Sequence, residues 1–135
     1  MRFEIANAIS IDSKNFIPTV GIDELKDFKP YKIELVGDIN KQIVIVKVND
    51  KLYAISNVCP HQHRQSLHKG FVENGCIVCP EHGWTFNLET GENVNNSVGT
   101  QKLEKFEIIV IDRVVYIRID HIQTKKWSFS FEQNK

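Results

Sequence analysis

Two short Cys/His pairs carry the chemistry of this chain. Cys59-Pro60-His61 reads C-x-H and Cys79-Pro80-Glu81-His82 reads C-x2-H, with the 17 residues from 62 to 78 between them. Two thiolates and two imidazoles delivered from two loops make a four-ligand metal site. That donor set suits one tetrahedral ion, or a two-iron cluster with sulfur on one side and nitrogen on the other. Structural zinc sites usually draw each pair from C-x2–4-C or H-x3–5-H spacing, whereas here each loop supplies one Cys and one His. In a two-iron site one metal can take both thiolates and the other both imidazoles, so each loop contributes to both.

The segments that must position these loops read as strands. Ile33, Leu35, Ile43, Ile45 and Val48 alternate or run in β-branched blocks, with turn residues at Gly37-Asp38-Ile39-Asn40 and Asn49-Asp50-Lys51. Leu52 to Ile55 is the expected strand before the first loop. Trp84 to Leu88 is the expected strand after the second, followed by a tight turn at Glu89-Thr90-Gly91. Phe106 to Ile111 and Val114 to Ile119 predict a hairpin across Asp112-Arg113, and Asp23 to Phe28 one helical turn stopped by Pro30. No segment sustains a helical face over three turns. The expectation is an all-β domain of short antiparallel strands, with residues from about 57 to 98 inserted between strands of a larger base.

Composition excludes several classes. In 135 residues, 17 basic and 17 acidic side chains cancel, which argues against a nucleic-acid binder. The longest wholly apolar runs, Ile43–Val46 and Ile108–Ile111, are too short to span a bilayer, and the N-terminus lacks a signal-peptide pattern. Three cysteines, an odd number, fit a reducing compartment, so the expected location is cytoplasmic. Cys76 is expected to be a small core residue, His63 a surface residue, and His68 and His121 solvated or capping. The alternating Trp127-Ser128-Phe129-Ser130-Phe131 is expected to be a final strand packed on the base, or a docking stripe if left exposed.

The two loops and their flanks resemble the Rieske iron–sulfur family. Cys59, His61, Cys79 and His82 match its ligand signature, and Asn57-Val58 together with Gly83-Trp84, Phe86, Leu88, Thr90, Gly91 and Glu92 resemble its flanks. The resemblance covers about residues 16 to 120. It implies a single Rieske domain over 1–135: an antiparallel β-sandwich base, a cluster-binding subdomain at about 57–98 and a tail at 121–135. It also implies one [2Fe-2S] cluster, with Cys59 and Cys79 on a buried iron and His61 and His82 on an outer one. With both imidazoles neutral, two ferric ions, two sulfides and two thiolates sum to zero charge, which favours uptake of an electron relative to an all-cysteine cluster.

High-potential members of the family join their loops by a disulfide and aim hydroxyls at the cluster sulfurs. Here Arg64 and Glu81 stand at the cysteine positions, and Trp84 and Phe86 at the hydroxyl positions, so a low potential is expected. The function implied is a one-electron carrier with no catalytic residues of its own. It would pass electrons from a flavin-dependent reductase to a terminal oxygenase or similar acceptor, docking at His61 to Arg64 and Glu81 to Trp84. The alternatives are the small subunit of a nitrite reductase or, with one zinc ion, a binding module.

Overall fold

Short β-branched segments broken by turn residues leave the chain little choice but sheets. The computed structural model describes residues 1–37, 40–60, 64–80, 83–94 and 101–120, and within them it contains strands and 3-10 turns but no α-helix. The strands are β1 (Arg2–Glu4), β2 (Ile9–Ile11), β3 (Lys14–Gly21), β4 (Tyr31–Val36), β5 (Lys41–Val48), β6 (Lys51–Ser56) and β7 (Val58–Cys59). They continue with β8 (Arg64–Gln65), β9 (Phe71–Glu73), β10 (Cys76–Val78), β11 (Thr85–Asn87), β12 (Lys105–Phe106), β13 (Ile108–Ile111) and β14 (Val114–Arg118).

Two sheets make the base, one in the order β1-β4-β5-β6-β12 and the other β13-β14-β3-β2. Ile33, Leu35, Ile43, Ile45, Ala54 and Phe106 from the first meet Ile17, Val20, Val115 and Ile117 from the second in one buried cluster. The pairing is antiparallel except between β1 and β4, which run parallel. The expected antiparallel β-sandwich base is thus present, with this one parallel pair at its edge. From β1 the chain passes through a 3-10 turn at Ile5–Asn7 and crosses to the other sheet, so it never reverses beside β4.

β5 explains its own composition. Ile43 and Ile45 belong to the base core, while Val44 and Val46 belong to a second buried cluster on the opposite face. A strand buried on both faces reads as an unbroken apolar run rather than an alternation. The second cluster holds Cys59 and Cys79, the first residue of each Cys/His pair. The chain departs from β6 and returns at β12, and the two ends adjoin: the Ser56 N–H donates to the Glu104 carbonyl at 2.8 Å, and Ile55 faces Lys105.

Three two-residue hairpins, at Asp12–Ser13, Asn74–Gly75 and Asp112–Arg113, hold both central residues at positive φ. That turn matches the right-handed twist of the strands it joins. The hairpin expected across Asp112-Arg113 is present, but the strand expected over 106–111 is divided. Phe106 ends β12 in the first sheet and Ile108 opens β13 in the second, because the Phe106 side chain fills the core between them. The helical turn expected at Asp23 to Phe28 shrinks to a 3-10 turn at Ile22–Glu24. Asp27 instead bridges to Lys47, and its carboxylate accepts from Lys47 Nζ at 2.9 Å and the Asn49 N–H at 3.2 Å.

Candidate metal centre

Each thiol stands at the neck of a loop that the backbone pins shut. β7 and β8 pair so that Cys59 faces Arg64 and Val58 faces Gln65. In the second loop the Cys79 N–H donates to the Trp84 carbonyl at 2.7 Å. Cys59 is 0% exposed and Cys79 1%, and both belong to the buried cluster that includes Val44, Val46, Ile55, Leu67, Ile77, Phe86 and Leu88. Neither forms a disulfide. Two thiols outside any disulfide, brought into one apolar environment and each at the base of a closed loop, are a donor pair suited to a soft metal centre.

Of the expected ligands, the structure thus brings Cys59 and Cys79 into one cluster. His61 and His82 lie outside the described residues, as do His63, Glu81, His121, residues 95–100 and the 127–131 stripe. Among the described residues no group of three or more His, Cys, Asp or Glu side chains forms a site. The thiols are therefore the described part of the expected ligand set.

The second loop grows from a three-stranded sheet, β11-β10-β9, whose registers place Ile77 between Val72 and Phe86 on the buried face. Gly70 lets this sheet approach the first loop's exit: a Cβ there would lie 2.1 Å from the Val78 carbonyl oxygen, one residue before Cys79. Gly83 has φ +68, a backbone state that disfavours side chains, and so lets the loop turn back towards Trp84. Trp84 lies against the cluster with its ring 6.3 Å from that of the fully buried Phe86. The turn expected at Glu89-Thr90-Gly91 is present, with Asn87 Oδ1 accepting the Glu89 and Thr90 N–H groups at 2.8 and 3.0 Å.

Asn57 fixes the approach to the first loop, a role that its place in a sequence flank did not reveal. It is 0% exposed. Its N–H donates to the Gln42 carbonyl at 3.0 Å, and its carbonyl accepts the Leu67 N–H at 3.2 Å. Its side chain accepts the His68 backbone N–H at 2.7 Å, donates to Gln42 Oε1 at 2.8 Å and hydrogen-bonds His68 Nδ1 at 3.0 Å. A buried amide with its groups satisfied ties the strand base to the 3-10 turn Leu67–Lys69 that follows the loop.

His68 is therefore a half-buried partner of Asn57 and not the solvated or simple capping residue expected. Burial, with the charges of Lys32 and Lys69, holds its imidazole below the ordinary range. Its Nδ1 lies 3.0 Å from Asn57 Nδ2 and 3.2 Å from Asn57 Oδ1, so either neutral tautomer finds its partner in the same amide. Cys76 also departs from expectation: it opens β10 half-buried, on the opposite face from Ile77, and stays outside both buried clusters. Burial, then the charge of Glu73, raises its thiol pKa, which keeps it protonated and a poor ligand.

Comparison with known proteins agrees with this geometry. The Rieske [2Fe-2S] domain model matches residues 15–107, so the chain belongs to the Rieske [2Fe-2S] family, and a [2Fe-2S] cluster is its cofactor. Within the family it is similar to the anthranilate 1,2-dioxygenase ferredoxin subunit of Burkholderia cepacia. The two are 28% identical over 102 residues, which cover 76% of this chain and 90% of that one. It is also similar to apoptosis-inducing factor 3 of Homo sapiens, 34% identical over 77 residues, or 57% of this chain; the match spans only 12% of that longer protein. Among solved structures, a chain in the complex of reduced oxygenase and oxidized ferredoxin in carbazole 1,9a-dioxygenase superposes with a TM-score of 0.66 at 27% identity. That match covers 74% of this chain and 98% of the other. Several of the relatives are named as ferredoxin components of oxygenase systems, and others as larger proteins such as the carnitine monooxygenase oxygenase subunit. Among the described residues no helix is long and apolar enough to cross a membrane.

Proposed function

We propose that this chain is a Rieske-type ferredoxin of the cytoplasm, which carries electrons singly from a flavin-dependent reductase to a terminal oxygenase or similar acceptor. The observation that carries the reading is the pair of buried, unbridged thiols at the necks of two backbone-closed loops. The ligand set is Cys59, His61, Cys79 and His82, with the thiolates on one iron and the imidazoles on the other. Support for the two histidines is their spacing, C-x-H and C-x2-H. The organisation is one domain over 1–135, in which about residues 57–98 serve the cluster.

When bound, the cluster supplies reversible one-electron chemistry. The chain's own residues hold and shield it. Ile55, Leu67, Ile77, Phe86 and Leu88 keep water from the thiolate side, and Asn57 and the Cys79–Trp84 bond keep the two necks in place. Iron and acid-labile sulfide analysis of the purified protein, with electron paramagnetic resonance of the reduced form, tests the reading. Two irons and two sulfides per chain are expected for this cluster type. A colourless protein with one zinc ion and no sulfide would overturn it.

A further inference from the structure

Ser66 is the buried hydroxyl that the protein itself leaves unanswered. The residue is 9% exposed and its Oγ has no hydrogen-bond partner among the described residues. Its backbone is fully used: the N–H donates to the Arg64 carbonyl at 3.0 Å, and its carbonyl accepts the Lys69 N–H at 3.0 Å. A buried polar group left unpaired destabilises the fold unless something answers it. Other hydroxyls of this region are engaged. Thr85 Oγ1 donates to the Gly83 carbonyl at 3.1 Å, and Thr90 Oγ1 accepts the Glu92 N–H at 3.1 Å. Ser56 Oγ accepts the Val58 N–H at 3.2 Å.

Position supplies the missing acceptor. Cys59 and Arg64 are directly opposed across the β7–β8 ladder, and Ser66 lies two residues beyond Arg64. Ser66 leads from that ladder into the 3-10 turn Leu67–Lys69, and its N–H bond to the Arg64 carbonyl turns the chain inward at Gln65. The next residue, Leu67, is fully buried in the cluster that contains both thiols. A buried hydroxyl beside that cluster still needs an acceptor, and the Cys59 thiolate and the sulfides of a loaded metal centre would supply one.

We infer that the Ser66 hydroxyl donates a hydrogen bond to a sulfur on the Cys59 side of the loaded cluster and tunes its potential upward. The inference rests on the carrier reading above. Donation to sulfur stabilises the reduced state, which carries one more negative charge, so the bond raises the midpoint. It also offers a hydroxyl from the exit of the first loop, in a chain whose second loop carries Trp84 and Phe86 where relatives place hydroxyls.

The test is Ser66→Ala and Ser66→Thr in the cluster-loaded protein, with iron and sulfide content, circular dichroism and the midpoint from a redox titration. Ser66→Ala should retain full iron, sulfide and secondary structure. Its ratio of reduced to oxidised protein at a fixed potential should fall about tenfold, a midpoint drop of about 59 mV. Ser66→Thr, which keeps the hydroxyl, should restore most of that shift. An unchanged midpoint in Ser66→Ala, or equal shifts in both variants, would overturn the inference while leaving the carrier reading intact. Should Ser66→Ala fail to load, Ser66→Cys, a weaker donor, is read by the same rule: an unchanged midpoint overturns it, and a lowered one supports it. Wild-type protein without iron and sulfide would sink both readings together.

Discussion

Replacing Asn57 with alanine should loosen the exit of the first loop while leaving the strands beneath it paired. The side chain makes three hydrogen bonds, two with His68 and one with Gln42. At about 1 kcal/mol each, their loss amounts to about 3 kcal/mol. The backbone bonds from Asn57 to Gln42 and Leu67 remain, so the loss falls on the link to the 3-10 turn and spares the β5–β6 ladder. Hydrogen exchange by mass spectrometry on the cluster-loaded protein reads this directly. The peptide covering residues 64–70 should exchange roughly 100-fold faster in Asn57→Ala, the factor that corresponds to about 3 kcal/mol of local opening. Peptides from β4 and β5 should change little. If the 64–70 peptide speeds up less than about fivefold, the buried amide is not what holds this turn, and the argument from its three bonds is refuted.

Other perturbations follow from the same geometry. Gly70→Ala puts a Cβ against the Val78 carbonyl and forces β10 to shift just before Cys79. Its iron and sulfide occupancy should fall well below wild type after identical reconstitution; full occupancy with unchanged thermal stability would contradict the close approach. His68 binds its proton more weakly in the folded chain than in the unfolded chain, whose value is about 6.5. Its contribution is therefore fully present above that value and lost as pH falls through the lower folded one. The stability advantage of wild type over His68→Gln should shrink between about pH 7.5 and pH 5 in denaturant titrations, and parallel pH profiles would refute it. Trp84 and Phe86 offer no hydroxyl to sulfur, so the midpoint should lie near about −150 mV. A titration giving more than about +100 mV would refute that expectation.

Much of this was legible in the chain, for reasons that differ from element to element. The two Cys/His pairs could be read because ligand chemistry tolerates few residue types and few spacings. The β5–β6 and β13–β14 hairpins could be read because Asn49-Asp50 and Asp112-Arg113 are polar interruptions between β-branched runs. β5 itself was clear as a strand, but its apolar run gave no hint that Val44 and Val46 serve a different core from Ile43 and Ile45. Asn74–Gly75, the turn between β9 and β10, carried a strong hairpin signal that was overlooked. β1 could not have been found: three residues pair in parallel with β4 at a sequence distance that local pattern does not encode. The roles of Asn57, Ser66 and His68 were hidden for a related reason. Each depends on a partner from another segment, and an isolated polar residue looks the same whether it meets water or a buried amide.

The bond between the Ser56 N–H and the Glu104 carbonyl has a consequence for how such a protein can change. Because the chain exits and re-enters the base at neighbouring points, the intervening stretch behaves as a cassette plugged into a single socket. Lengthening or exchanging it alters closure entropy only logarithmically and leaves the socket's own ladder untouched. Redox properties and partner choice can thus drift in the cassette while the platform under it stays constant.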